Sequence, residues 1–99
     1  MDALQLVAEP RRQAILRLVW HEELPVGAIV DRLELSYAGT SQHLALLHDA
    51  GFVSVRRDGK RRLYRADRAR LGALASFLES FWAGELDRLA RLAEEADET

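Results

Sequence analysis

The chain has 99 residues, no cysteine and a formal net charge of -2, with 48% hydrophobic and 30% charged residues. These values are typical of one folded domain with a modest core, and they exclude disulfides, thiolate metal sites and cysteine nucleophiles. No apolar run reaches the length of a membrane span, and the first residues lack the basic stretch of a signal peptide. The sequence therefore predicts a single domain over residues 1–99, in the cytoplasm and with no membrane partner.

The first part of the chain is predicted to be helical. Apolar residues at helical spacing indicate a short helix over about residues 2–7. A second helix is expected from Pro10 to His21, since proline suits a first helical position. A further short helix is expected to begin at Pro25, because the apolar residues after it are again three or four positions apart.

A fourth helix is predicted from about Tyr37 to Ala50. The Ser36 hydroxyl can cap its first turn, and Gly51 is suited to end it. The side of this helix that is expected to face the core carries Thr40, Leu44 and Leu47.

The spacing then changes from helical to a period of two, which predicts strands over residues 52–57 and 61–65. The Asp-Gly pair between them is a strong hairpin signal. From about Arg68 to Glu95 the helical period returns as one long apolar stripe, in which Gly84 is a local weakness. The predicted fold class is mainly α with a small β-hairpin, in the order helix, helix, helix, helix, hairpin, helix.

Positive charge is concentrated in one third of the sequence. Residues 36–67 contain six basic and three acidic residues, a net charge of +3. By contrast, residues 1–35 have four arginines and six acids, and residues 68–99 have four arginines and seven acids. Phosphate binding requires such a local positive field, which the charge of the whole chain hides. The alternative is a solvated edge hairpin whose charges discourage aggregation.

The fourth helix favours DNA binding over that alternative. Its outward side carries short or hydrogen-bonding residues and no acid before Asp49, whereas a merely solvated helix usually carries Glu and Lys. A helix that enters the major groove must offer donors and acceptors to base edges without repelling phosphates. The outward residues are Tyr37, Ala38, Ser41, Gln42 and Ala45.

Four segments together resemble the ArsR/SmtB family of bacterial repressors, and the similarity extends over nearly the whole chain. The segments are EPRRQAIL at residues 9–16, LSYAGTSQHL at 35–44, AGFV at 50–53 and RRDGKRRLYR at 56–65. The resemblance implies a winged helix-turn-helix fold. It also implies a homodimer built from the first and last helices, which would place paired recognition helices and wings on operator DNA.

The candidate site residues combine this resemblance with the charge and exposure patterns. His43 matches a near-standard histidine of the family, with a helix residue at the core margin as the alternative, and Tyr64 has packing at the wing base as its alternative. The residues expected to bind DNA are Ser36, Tyr37, Ala38, Ser41, Gln42, His43, Arg56, Arg57, Lys60, Arg61, Arg62 and Tyr64. Those expected at the dimer interface are Leu4, Leu71, Leu74, Leu78, Phe81, Trp82 and Leu89.

The chain departs from the family pattern in two respects. Tyr37-Ala38 replaces a Gln-Pro-like pair and Thr40 replaces an apolar residue, which bears on the bases that are read. The metal-sensing branches use a cysteine motif in the recognition helix or Asp, His and Glu ligands in the last helix. The chain has no cysteine, and its three histidines precede the last helix. It most resembles the metal-independent, autorepressor-like branch, so no metal or other cofactor is expected.

The sequence thus predicts a DNA-binding transcriptional regulator that acts as a homodimeric repressor on a near-palindromic operator. An enzyme is not expected, because the sequence contains no Gly-rich phosphate loop, no metal-ligand set and no nucleophile–base arrangement. The alternative is a winged-helix module for protein contacts without specific DNA binding. The sequence leaves open whether a small-molecule effector exists and whether the protein represses or activates transcription.

Overall fold

The computed structural model describes residues 1–97, which form six helices and three short strands. The order of the elements confirms the mainly helical fold with a hairpin between the fourth and last helical regions. The elements are α1 (Ala3–Ala8), α2 (Pro10–Leu18), β1 (Leu24–Pro25), α3 (Val26–Leu33), α4 (Tyr37–Asp49), β2 (Val53–Asp58), β3 (Arg61–Ala66), α5 (Arg68–Leu71) and α6 (Ala73–Asp97). Among these residues, no helix has both the length and the apolar character needed to cross a membrane.

The first two helices begin where side chains satisfy free backbone N–H groups. At α1, Asp2 accepts the N–H of Gln5 at 2.8 Å, and the Gln5 side chain accepts the N–H of Asp2 at 3.1 Å. At α2, the Glu9 carboxylate accepts the N–H of Arg12 at 2.9 Å, and Pro10 occupies the first turn as predicted. These caps fix the junction between α1 and α2.

The strands form one antiparallel sheet in the order β1-β3-β2. The predicted hairpin is present: β2 pairs with β3 so that Asp58 lies opposite Arg61, and Gly59 enters the turn with a φ of 63°, which glycine adopts at no steric cost. Strand β1 was not predicted. It pairs Leu24 with Tyr64, and a two-residue strand is too short to show a period in the sequence.

Two helix boundaries differ from the prediction. Helix α2 ends three residues before His21, because the Val19 carbonyl accepts the N–H of Ala66 at 3.0 Å and the chain turns towards the sheet. The last helical region is divided into α5 and α6 at Gly72, whose φ of 59° and ψ of -126° suit glycine alone. Gly84, the predicted weak point, lies within an uninterrupted α6.

The core joins the helices to the hairpin. Trp20 and Trp82 meet edge to face, with ring centroids 4.9 Å apart, and so fasten the first half of α6 to the chain after α2. The largest fully buried side chains are Ile15, Leu16, Ile29, Leu44, Leu47, Leu78, Val7, Val19 and Thr40.

Three residues expected at the dimer interface have their side chains buried within a single protomer. Leu71, Leu78 and Trp82 are 4%, 0% and 7% exposed, because α5 and the start of α6 pack against the same core as α2. An apolar stripe on a helix does not distinguish a core face from an interface face. The remaining candidates lie further out: Leu74 is half-buried, and Leu4, Phe81 and Leu89 are exposed.

Candidate nucleic-acid interface

Helix α4 is held to the domain by one face and by its first turn. Thr40, Leu44 and Leu47 are almost fully buried, as predicted. The Ser36 hydroxyl accepts the N–H of Gly39 at 3.0 Å, while the Thr40 hydroxyl donates to the Ser36 carbonyl at 2.8 Å. The polar Thr40, which replaces an apolar residue of the family pattern, therefore has its hydroxyl satisfied inside the protein.

The opposite face of α4 is open to solvent. Tyr37 is 59% exposed, and the shorter side chains of Ala38, Ser41, Gln42 and Ala45 are exposed as well. This face therefore presents hydroxyl and amide groups without a negative charge, as the sequence predicted.

The two faces of the β2–β3 hairpin differ, because successive side chains of a strand point in opposite directions. The inner face consists of Val55, Arg57, Arg62 and Tyr64, in which Val55 pairs with Tyr64 and Arg57 with Arg62. Val55, Arg62 and Tyr64 line a hollow against the outward side of α4. The outer face carries Arg56, Asp58, Arg61 and Arg65, together with Ser54 and the buried Leu63.

The β2–β3 hairpin, called the wing below, and the start of α4 border a second hollow. It lies between the hairpin turn, α4 and residues 25–27 before and within α3. Tyr37 and Ser41 of α4 line one side of it, and the wing contributes Lys60, Arg61, Arg62 and Tyr64. Tyr64 is half-buried and borders both hollows, so it packs at the base of the wing.

Acidic side chains pair with two of the three arginines on the outer face of the wing. Arg56 donates from two guanidinium nitrogens to the carboxylate of Glu23, at 2.9 and 3.1 Å. The hydrogen bond from Arg56 lowers the pKa of Glu23, and the same bond raises the pKa of Arg56. Arg61 lies 3.6 Å from Asp58. Within residues 1–97, by contrast, four basic residues of the wing have no paired carboxylate: Arg57, Lys60 and Arg62, and also Arg65 on the outer face.

His43 lies at the margin of α4, half-buried. Its Nδ1 is 3.3 Å from Nη1 of Arg12, a buried residue of α2 that sequence reasoning did not single out. Glu23 was also missed as a wing contact. Neither pairing has a local signal, since the partners are 31 and 33 positions apart.

The part of the chain that the structure describes contains no group of three or more His, Asp or Glu side chains arranged to hold a metal ion. His21, His43 and His48 therefore belong to no such group there.

The fold and this surface can now be compared with known proteins. The family model "Bacterial regulatory protein, arsR family" matches residues 9–55, from the cap of α2 to the third residue of β2. The HTH-type transcriptional regulator Rv2034 of Mycobacterium tuberculosis is 38% identical over 98 residues, which cover 98% of this chain and 92% of that protein. The chain belongs to the ArsR family. It is accordingly a winged helix-turn-helix transcriptional regulator and not an enzyme.

Two further relatives agree with this assignment. The probable mercury resistance operon repressor of Streptomyces lividans is 32% identical over 95 residues, covering 93% of this chain and 76% of that protein. The solution structure of the homodimeric winged helix-turn-helix DNA-binding domain of Mb0332 from Mycobacterium bovis has a TM-score of 0.70 and 27% identity, and the match covers 85% of this chain and 78% of that one. In winged helix-turn-helix terms, α4 is the recognition helix and the β2–β3 hairpin is the wing.

Proposed function

We propose that the protein represses transcription as a homodimer that binds a near-palindromic DNA operator in the cytoplasm. The observation that carries this proposal is the juxtaposition of a recognition helix that has no acid before Asp49 with unpaired wing cations. Tyr37 and Ser41 border the same hollow as Lys60 and Arg62. Hydrogen-bonding groups beside a local positive charge match a DNA surface, which offers base edges flanked by phosphates.

The two parts of this surface have different roles in the proposal. The exposed side chains of α4, above all Ser41 and Gln42, read base edges, because Gln pairs with adenine and Ser serves several bases. The wing cations bind phosphates or an adjacent minor groove, which positions the protein and carries little sequence information. Arg57, Lys60 and Arg62 supply the uncompensated charge.

The proposed dimer is supported by apolar surface on the outer helices. Beyond Trp82, no side chain of α6 up to residue 96 is buried, although this segment carries Leu86, Leu89 and Leu92. On α1 and earlier in α6, Leu4 and Phe81 are exposed as well. A two-fold dimer would cover these side chains and would set two recognition helices about 34–36 Å apart, one turn of DNA.

The proposal includes repression of transcription and DNA binding that does not depend on metals. The Streptomyces relative is named as an operon repressor, which supports repression. Since the described residues offer no metal-ligand cluster, we expect zinc, cadmium and arsenite to leave operator affinity unchanged. Loss of binding at stoichiometric metal would contradict this expectation.

Footprinting on the DNA upstream of the protein's own gene, combined with transcription in vitro, tests the proposal. We expect a protected near-palindrome, protection that weakens with added salt, and reduced transcription from that DNA. The Arg62→Gln variant should protect less, whereas Arg91→Gln, which removes the same charge from α6, should protect like the unchanged protein. Absence of salt-dependent protection would favour a protein-interaction module instead.

A further inference from the structure

A buried arginine connects the first two helices to the recognition helix. Arg12 is 7% exposed, and its Nε donates to the Leu6 carbonyl of α1 at 2.6 Å. Its Nη1 lies 3.3 Å from Nδ1 of His43 on α4, and its Nη2 lies 3.5 Å from the sulfur of Met1. One guanidinium on α2 thus contacts both α1 and α4.

The contact with His43 decides which ring nitrogen carries hydrogen. A guanidinium has donors and no acceptor, so Nδ1 of His43 must accept the hydrogen bond. The hydrogen of the neutral imidazole is therefore on Nε2. A hydrogen on Nδ1 would face the guanidinium without an acceptor and would break the contact.

The charged groups around this pair are balanced. Burial raises the pKa of Glu9, but the hydrogen bonds from the Arg12 and Arg11 backbones and the positive charge of Arg12 act in the opposite direction, and the pKa is lowered overall. Glu9 therefore supplies a negative charge beside the buried guanidinium. Arg11 and Glu34 add one charge of each sign at the hollow that His43 lines.

The remaining ring nitrogen of His43 is available for a ligand. His43 lines a hollow with Ser36 and Gly39 at the first turn of α4, and among residues 1–97 Nε2 has no hydrogen-bond partner. The ring lies beside the exposed face that holds Ser41 and Gln42, which is where the DNA backbone would pass if that face entered the major groove. The positive end of the helix dipole favours an anion at the same place.

We propose that Arg12 is a positioning residue for DNA binding, which holds His43 with its hydrogen on Nε2 so that the imidazole donates to a phosphate oxygen beside the recognition helix. This proposal rests on the proposed DNA-binding function. It assigns the direct contact to His43 and makes Arg12 act through it.

Two spectroscopic and binding measurements test the proposal. Nitrogen NMR of the imidazole should show Nδ1 without hydrogen and Nε2 with hydrogen in the DNA-free protein, and the Nδ1 signal should move in Arg12→Met because its donor is gone. In binding assays, His43→Gln should retain operator affinity, since its amide N–H lies near the position of Nε2. His43→Asn places its amide near Nδ1 and should bind about tenfold more weakly, the cost of a lost hydrogen bond to a charged group.

A double-mutant cycle separates positioning from simple packing. Arg12→Met should weaken operator binding about tenfold in the otherwise unchanged protein and hardly at all in the His43→Gln background, because the amide does not depend on Arg12. Arg17→Met removes an exposed arginine of the same helix that does not line this hollow, and it is the matched control. If Arg12→Met does not fold, the comparison of His43→Gln with His43→Asn and the nitrogen NMR spectrum of the unchanged protein still test the proposal.

Three results would overturn the proposal: hydrogen on Nδ1 in the free protein, equal binding by the Gln and Asn variants, or an equal cost of Arg12→Met in both backgrounds. Failure of the unchanged protein to bind any DNA would instead refute the proposed function, and the donor role of His43 with it. Normal binding with hydrogen on Nδ1 would leave the proposed function standing but refute the roles of both Arg12 and His43, because Nε2 of the neutral ring would have no hydrogen to donate.

Discussion

The inner and outer faces of the wing carry similar numbers of arginines but differ in charge. On the outer face, Arg56 is bound by Glu23 and Arg61 lies near Asp58. On the inner face, Arg57 and Arg62 lie opposite each other and are not paired with an acid among residues 1–97. The count of basic residues in the sequence therefore overstates the charge available to DNA. Both arginines of the inner face are unpaired, whereas on the outer face only Arg65 is.

We therefore expect the two faces of the wing to have different roles. Arg62 of the inner face lies beside α4, so a phosphate bound there would hold α4 in the groove. The outer pair of Arg56 and Glu23 instead joins the wing to the segment before β1, and an exposed pair of this kind contributes little to stability.

Disrupting the dimer should abolish specific DNA binding, whichever face of the wing contacts the DNA. Phe81→Glu places a carboxylate in the exposed apolar surface of α6, so dimers should dissociate and operator affinity should fall to about the non-specific level, roughly a thousandfold or more. Ser76→Glu is the control, since it lies about 140° around the helix from Phe81. Sedimentation and operator binding provide the measurements, and a dimer that survives Phe81→Glu with full affinity would rule out this interface.

Removing a cation from the inner face should weaken binding to all DNA sequences. Arg62→Ala should lower the slope of log affinity against log salt by about two per dimer, one for each phosphate contact. Arg56→Ala removes a cation already neutralised by Glu23 and should change the slope much less. Fluorescence anisotropy with random DNA measures both. Equal slopes for the two variants would mean that the faces do not differ.

A substitution in the recognition helix should alter base specificity. It should not change the difference in salt slope between the two faces of the wing. Gln42→Ala should cost about 1–3 kcal/mol for each base pair that Gln42 reads, and it should relax the preference at that position. A panel of operators with single base-pair substitutions identifies the position. A uniform loss across the whole panel would indicate that Gln42 does not read a base.

Removing the carboxylate partner of Arg56 should leave Arg56 as an unpaired cation, like the arginines of the inner face. Glu23→Gln removes the carboxylate that holds Arg56, so affinity for random DNA should rise slightly and its salt slope should become somewhat steeper. Glu22→Gln is the matched control, because Glu22 pairs with Arg32 rather than with the wing. An unchanged slope would show that Arg56 does not reach the DNA even when free.

The smallest expected effect is on stability. The pKa of Glu23 is lowered by Arg56, so the stabilising contribution of the pair is present above the ordinary pKa of a glutamate and is lost as pH falls through the lowered value. The unfolding free energies of the unchanged protein and Glu23→Gln should differ slightly at neutral pH and converge in acid. A difference that grows in acid would contradict the assigned partner.

The sequence predicted those features that depend on local pattern. Helical spacing identified Thr40, Leu44 and Leu47 as the buried side of α4, and Gly51 ends the helix with a φ of 81°. The hairpin and its glycine turn were predicted for the same reason. In each case the signal lies within a few neighbouring residues.

Features that depend on tertiary packing were not predictable in this way. The apolar stripe on α6 contained both Leu78, a core residue, and Phe81, an exposed one, since spacing alone does not show where the domain ends. The bond between Glu23 and Arg56 exists because β1 pairs with β3, which brings the segment before β1 to the wing. Arg12 reaches His43 only through the packing of α2 on α4.

A salt titration of operator and random DNA separates the role of the wing from that of α4, with the unchanged protein, Arg62→Ala and Gln42→Ala measured in parallel. If the wing binds phosphates and α4 reads bases, Arg62→Ala should lower the salt slope on both DNAs. Gln42→Ala should instead reduce the affinity difference between the two DNAs without changing either slope. If Arg62→Ala leaves both slopes unchanged while Gln42→Ala weakens both DNAs equally, the assignment of the wing to phosphates and of α4 to bases is wrong.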